Sequence, residues 1–554
     1  MDIYNLNIIN NFARKPDQKD EFDEWVKQDD TVDFINSDLL DKDIILYAAF
    51  PSTLIHCALV PLVPLTPDTI NDLQSWDQTP YSGWSVWSKP GGNDWIEPPL
   101  SSSGSKTLQN GEQILFVRSF DGVKGMGSYI EVSQKLTQVL GLHYMKERSA
   151  WCKLDNKGDI DDVIKIHALT QSNDKNWGEV VSVRYQELAK YCELTGTALV
   201  RMFDVDRIDH KNFTHWGNGE EQPVEDRGVF GRRLVMAGQA SYFRGVQIHE
   251  MQYEETGLKT KEYASFIAHD WKNNRIEELS CSPDSIDNYF TKSDKPFEVT
   301  PAFFHPEVLL KYKSDTDKYV LNGRSISCRG AWYLKTYDIN EAGQVHTYLI
   351  YLSHLPYDEQ LHWKQFNEHP KASISERAKT NDFEGDYYDG YYPLDSLKRK
   401  LDDLDNQHVD WWIQKNHDFM GSLHPVVTTS IDEWKEEILK LDQVLVEGFV
   451  EKKLRAKAKQ TGRSPDHKNR SLKLIEECLI GLGFEEEHAR EITAPLHITH
   501  DLRSILKGHI TGETAEKIRS EAIEDFGSYS SHFEDLCRRC DESMEIIIDA
   551  FTKV

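Results

Sequence analysis

Positive charge is scarce in this chain. Its 554 residues hold 64 Lys and Arg against 92 Asp and Glu, a net charge of −28. A field of that sign repels nucleic acid over most of the surface, so any polyanionic partner has to meet a local basic patch. Cysteine is thin as well, with eight residues at positions 57, 152, 192, 281, 328, 478, 537 and 540. Only Cys537 and Cys540 stand close together, in a strongly helical stretch with no second ligand pair at matched spacing, which favours packing over zinc. The N-terminus, Met1-Asp2-Ile3-Tyr4, is mixed and polar rather than leader-like, so a reduced, cytoplasmic setting is expected. One stretch without charge, Ile44 to Pro67, is long enough to span a bilayer. Its Pro51, Pro61 and Pro64 break a helix and suit short buried strands with turns, so no membrane partner is expected. Phosphate-loop signatures are missing too. Gly122-Val123-Lys124-Gly125-Met126-Gly127 follows the strand-like Gln113–Arg118 and precedes a helix expected near Ser128. The spacing fits neither GxGxxG nor GxxxxGK[ST] and reads as a tight connection.

What is present is a globular composition: 39% hydrophobic residues, 28% charged and 11% aromatic, enough for large buried cores. The length implies two to four domains. The pattern is α+β, with a large mixed α/β N-terminal portion followed by a C-terminal all-α up-and-down helical bundle. The expected division is 1–150, strand-rich; 151–425, α+β with a buried hairpin at 325–355; and 426–554, helical. In the middle region Val180–Arg184 reads as a strand, Gln186–Glu193 as a helix and Thr197–Phe203 as another apolar run, while Leu234–Gly238 and Phe243–Ile248 suggest more sheet. Asn340-Glu341-Ala342-Gly343-Gln344 is a hairpin turn leading into Val345–Ser353, apolar on both faces and hence covered on both sides. Asp358, Glu359 and His362 have helical metal-site spacing. With a single histidine they read as a surface ion-pair cluster, a metal enzyme in 300–425 being the alternative. Gly385–Pro393 is a Gly/Tyr/Asp loop before an acidic helix expected to run to about Phe419.

The C-terminal quarter has helical period throughout. Ser430-Ile431-Asp432-Glu433 fits a capping box, and Ile431, Trp434, Ile438, Leu441, Leu445 and Phe449 form a stripe. Ser464-Pro465 opens a second helix through Leu472, Ile475 and Leu479, ended by Gly481 and Gly483. A third starts at Pro495, placed in its first turn, and stops at Gly508. A fourth spans about Gly512 to Phe551. Between Glu451 and Leu474 stand nine basic residues, Lys452, Lys453, Arg455, Lys457, Lys459, Arg463, Lys468, Arg470 and Lys473, against Glu451 and Asp466. Either a solvated helix face or a contact to a phosphate backbone accounts for them.

A helical bundle with an arginine, a few residues and then a histidine at the end of its third helix resembles the HEPN superfamily. Here Arg503 and His509 are separated by Ser504 through Gly508, where the family usually places Asn, Asp or His after the arginine. The resemblance implies a metal-independent endoribonuclease of the kind found in toxin, abortive-infection and antiviral systems, dimerising or forming a higher homo-oligomer through this helix. Arg503 would stabilise charge on the scissile phosphate and His509 would act as general acid/base, with His500, Asp501 and Lys507 in support. Neither metal nor other cofactor is implied. RNA carries its own 2′-hydroxyl nucleophile, so proton transfer and oxyanion stabilisation suffice. In a straight helix six residues leave the two side chains about 120° apart. Gly508 would let His509 turn back, and a two-fold axis could pair it with the arginine of a second copy. Lys452–Arg470 would then be the RNA track, and residues 1–425 would hold the nuclease inactive until an unknown trigger arrives. The alternative is a non-catalytic binding or scaffold protein that dimerises through the bundle.

Overall fold

The fold is that of a computed structural model, which describes residue 9, 11–12 and 15–552 apart from 38–42, 76–82, 102–103, 120–126, 171–175, 210, 212, 218, 255–260, 416 and 509–512. The chain is α+β and divides into two compact units, 1–155 with 159–259, and 156–158 with 260–554.

The first unit is built on a ten-stranded sheet: β1 (Asp43–Phe50), β2 (Thr53–Pro61), β3 (His143–Met145), β4 (Ala150–Leu154), β5 (Ile160–Thr170), β6 (Asn176–Arg184), β7 (Thr197–Ile208), β8 (Gln222–Asp226), β9 (Val229–Met236) and β10 (Ala240–His249). Their order is β8-β9-β10-β7-β2-β1-β6-β5-β4-β3, every neighbour antiparallel. The uncharged stretch from Ile44 supplies β1 and β2 at the centre. Ile44, Leu46, Cys57 and Leu59 pack on one side, and Ile45, Ala48 and Ile55 on the other. Burial on both faces therefore explains the missing charge. Among the described residues no helix is long and apolar enough to cross a membrane. The expected boundary at 150 falls at the start of β4, inside the sheet. After Gly127 the chain forms a strand, Tyr129–Val132, paired with Leu115–Arg118, and turns helical only at Gln134. A strand thus stands where the helix was expected, and 120–126 lie outside the described residues.

The second unit opens with a sheet ordered Arg275–Ser280, Ser265–Asp270, Pro301–Phe304, Val345–Tyr348, Asp338–Ile339, with Asn367–Glu368 on Pro301–Phe304. Tyr319–Leu321, Ile326–Cys328 and Trp332–Leu334 make a separate three-stranded sheet. Val345–Tyr348 is buried at every position, as its two apolar faces require, but the run bends into a helix at Leu349–Ser353. Short apolar runs fit either structure, and here the run divides between them. His362 bonds the Val308 carbonyl, Asp358 meets Lys157 and Glu359 meets Lys311, an ion-pair cluster.

The helices that follow are α1 (Pro393–Asn406), α2 (His417–Ser422), α3 (Ile431–Leu445), α4 (Glu451–Gln460), α5 (Ser471–Gly481), α6 (Glu486–Gly508), α7 (Glu513–Phe526) and α8 (Tyr529–Thr552). One core joins them, including Leu397, Trp434, Ile438, Ile475, Leu496, Cys540 and Met544. Four expected boundaries move. The helix after Pro393 stops at Asn406, with His408 in the left-handed region at φ 52°. The helix expected from Ser464 starts at Ser471, because Arg455 holds the 465–469 carbonyls in a loop. The last helix breaks at Gly527, φ 77°, into α7 and α8. Pro495 lies well inside α6 rather than in a first turn. An interior proline costs about 3 kcal/mol, a cost set here against the burial of Ala489, Ile492, Leu496, Leu502 and Leu506 along the same helix. All eight cysteines are free and buried.

Candidate functional site

Helix α6 presents a polar stripe, Thr493, His497, His500 and Arg503, at steps of four, three and three residues. Such spacing puts the four on one side of a helix. Two buried carboxylates from neighbouring helices receive that stripe. Glu476 of α5 lies 3.1 Å from His497 Nε2 and 3.4 Å from Thr493 Oγ1, and also pairs with Lys473. Asp442 of α3, with no exposed side-chain surface, takes the rest. His500 Nδ1 lies 3.0 Å from its Oδ1, and Arg503 Nη1 donates to its Oδ2 at 2.7 Å. The other edge of the Arg503 guanidinium meets Glu447 Oε1 at 2.8 Å, just past the end of α3. The Arg503 side chain is 20% exposed and the His500 side chain 45%.

Burial pushes the Asp442 carboxyl above the usual range, while His500 and Arg503 pull it back toward ionisation. The carboxylate acts as an anchor: it fixes the direction of an imidazole and a guanidinium while both keep contact with solvent. A carboxylate at Nδ1 orients the ring and leaves Nε2 for proton transfer, and the adjacent arginine supplies fixed positive charge.

Of the residues singled out in the sequence, Arg503 and His500 therefore come together. Asp501 is exposed and makes no ion pair among the described residues. Lys507 belongs to the last turn of α6, and both its side chain and the whole of His509 lie outside the described residues. Asp442, Glu447 and Glu476 were missed. The available signal was an acid on an apolar face: Asp442 follows Ile438 by four positions, and Glu476 follows Leu472 by four.

The basic segment is largely engaged within the protein. Arg455 donates to the carbonyls of Pro465, Asp466, His467 and Asn469. Arg463 pairs with Glu477, Lys453 with Asp410, and Arg470 with Glu451 at 3.7 Å. Lys457 bonds the Phe551 carbonyl and lies over its ring. Among the described residues, Lys452, Lys459 and Lys468 are exposed and without an ion pair. Among the described residues, too, no three His, Cys, Asp or Glu side chains are grouped to hold a metal.

No protein-family model matches the chain, and neither a curated protein nor a solved structure matches it.

Proposed function

We propose that residues 426–554 form an up-and-down bundle of HEPN type that cleaves RNA without a metal, at a site completed by a second copy of the chain. The observation that supports this reading is the Asp442 anchor, which sets an imidazole and a guanidinium side by side on a partly exposed helix face. Arg503 would stabilise the charge that develops on the scissile phosphate. His509 would transfer protons at the 2′-hydroxyl or the leaving oxygen, with His500, held by Asp442, as a second imidazole in the same site. Of the basic segment, Lys452, Lys459 and Lys468 are, among the described residues, the cations left free to follow an RNA backbone. Residues 1–425 would restrain the activity until triggered, as befits an antiviral or abortive-infection effector.

One observation favours a second reading, a binding protein without catalysis: Arg503 is already shared between Asp442 and Glu447, two acids that compete with phosphate. The test is incubation of the full chain with total RNA in EDTA, beside the Arg503→Ala/His509→Ala double variant and His500→Ala, with sedimentation to give oligomer size. The nuclease reading expects cleavage by the wild type, its loss in the double variant, and a dimer or larger assembly. Identical RNA patterns for wild type and double variant leave the binding reading.

A further inference from the structure

A cavity of about 520 Å³ lies within the second unit, walled by α1, the 421–427 segment, α8 and residues around 309–339, and shares no lining residue with the Arg503 cluster. That size is in the range that small-molecule sites occupy. Much of its wall is apolar, with Leu309, Leu394, Leu423, Val426 and Phe533.

The charges on that wall do not cancel pair by pair. Lys313 is spent on Glu433 and the Pro425 carbonyl, and Arg377 is spent on Asp338 at 2.6 and 2.8 Å. Lys398 remains. Its ammonium donates to the Leu423 carbonyl and, among the described residues, has no carboxylate within ion-pair reach. Burial holds its pKa below the ordinary lysine value, with Asp395, Glu437 and Asp402 acting on it only from a distance. The neighbouring residue in the cavity, His424, is 7% exposed, and its imidazole has no hydrogen-bond partner among the described residues. Only its backbone N–H is used, by Glu437 at 2.8 Å. Burial, reinforced by Lys398, Lys313 and Lys440, lowers its pKa to about 3, so the ring is neutral and keeps one donor and one acceptor.

Lys398 is thus a part-buried ammonium with no carboxylate partner, beside a neutral imidazole whose ring makes no hydrogen bond among the described residues; partial desolvation of an unpaired charge is costly unless something completes it. Both would be satisfied by one negatively charged head group. Of the acids at the cavity, Asp338 is buried and held by Arg377, while Asp395 and Glu534 are exposed and oppose a second negative charge. We propose that this cavity binds a small monocarboxylate with an apolar body, its head on Lys398 and His424 and its body against Leu394, Val426 and Phe533.

Calorimetry on the full chain at pH 7 tests this, with sodium octanoate as probe and 1-octanol, octylammonium and octyl phosphate as controls. Octanoate is expected to bind at least tenfold more tightly than each control. Lys398→Met should weaken octanoate at least tenfold, and Lys398→Arg should retain most of the affinity. Removing an unpaired, part-buried charge relieves its desolvation and offsets the lost bond to Leu423, so the Met variant should fold, as a thermal melt would verify. Octanoate binding no better than octanol overturns the proposal without recourse to any variant. So does affinity unchanged in a folded Lys398→Met protein. Preference for octyl phosphate overturns the monoanion assignment.

Discussion

Arg503 Nη1 sits 2.7 Å from Oδ2 of Asp442, a carboxylate with no solvent-exposed side-chain surface. Each group makes the other tenable. Without the guanidinium, an ionised Asp442 between helices would keep the His500 imidazole as partner but lose the fixed charge that offsets its burial. Without Asp442, Arg503 would lose the contact that sets its direction on α6. The pair ties α3 to α6 at the point where function is proposed, so structural and chemical roles of Arg503 have to be separated by experiment.

Arg503→Met is expected to destabilise the protein by about 1–3 kcal/mol, because it leaves a buried acid with the His500 imidazole as its remaining partner. Asp442→Asn should cost less, since an amide can still accept from Arg503. The double variant should be less destabilised than the sum of the two, the signature of a direct interaction. Urea denaturation of the four proteins reads this. Strict additivity would mean that the two residues do not depend on each other.

In the basic segment, charge and fold are held by different residues. Arg455→Ala removes the donor to four loop carbonyls and should destabilise the 461–470 connection, lowering stability by about 1–3 kcal/mol. Lys452, Lys459 and Lys468 should tolerate change to Glu with stability altered by about 0.5 kcal/mol or less. If RNA follows this face, the triple Glu variant binds RNA more weakly and shows a shallower salt dependence. Filter binding across a salt series measures both, and an unchanged slope would remove the segment as the track.

The mixture of helix and strand, the buried strands of the Ile44 stretch and the stripes of α3, α5 and α8 could be read from sequence, because apolar patterning follows burial directly. Ser430 caps α3 by accepting from the Glu433 N–H at 3.4 Å, as the spacing of a capping box implies. Glu433 departs from that motif. Its carboxylate accepts from the Thr428 N–H and hydroxyl at 2.8 and 2.6 Å and pairs with Lys313, a long-range partner that local spacing does not encode. The same holds for the candidate site. His500 and Arg503 were visible as polar residues beside one stripe, but Asp442 lies 61 positions from Arg503 and joins it only through packing of α3 on α6. Strand order was hidden for the same reason: β1 pairs with β6 across a long intervening sequence.

Gly448 offers a local test of how the helical region closes. A methyl group there would fall 2.3 Å from Trp412 Nε1 and 2.6 Å from its Cε2. Trp412 is fully buried and already bonded to the Leu445 carbonyl at 3.1 Å, so the ring cannot move aside without losing that bond. Gly448→Ala is expected to destabilise by about 1–3 kcal/mol. Gly462→Ala lacks such a clash and carries only the conformational penalty of its positive φ. Thermal melts should rank the Gly448 variant lower, with its tryptophan fluorescence shifted.

Three buried histidines contribute to the response to acid. His56 and His346 are lowered to about 4, and His424 to about 3, in each case chiefly by burial. His346 Nε2 accepts from the Ser375 N–H at 3.0 Å, which the neutral ring alone can do. Unfolded, each titrates near 6.5. Between that value and the folded pKa the unfolded chain binds protons that the folded chain refuses, so stability present above pH 6.5 is lost as pH falls. The loss amounts to about 1.4 kcal/mol per pH unit for each imidazole. Asp206, raised to about 6 by burial and by Asp204, works the other way, since its folded form is relieved on protonation. Urea midpoints taken between pH 7 and pH 4.5 should fall steeply for the wild type. The slope should flatten by about 1.4 kcal/mol per unit in His424→Gln, which does not titrate. A slope left unchanged by that substitution would mean that the His424 imidazole already takes up its proton in the folded state.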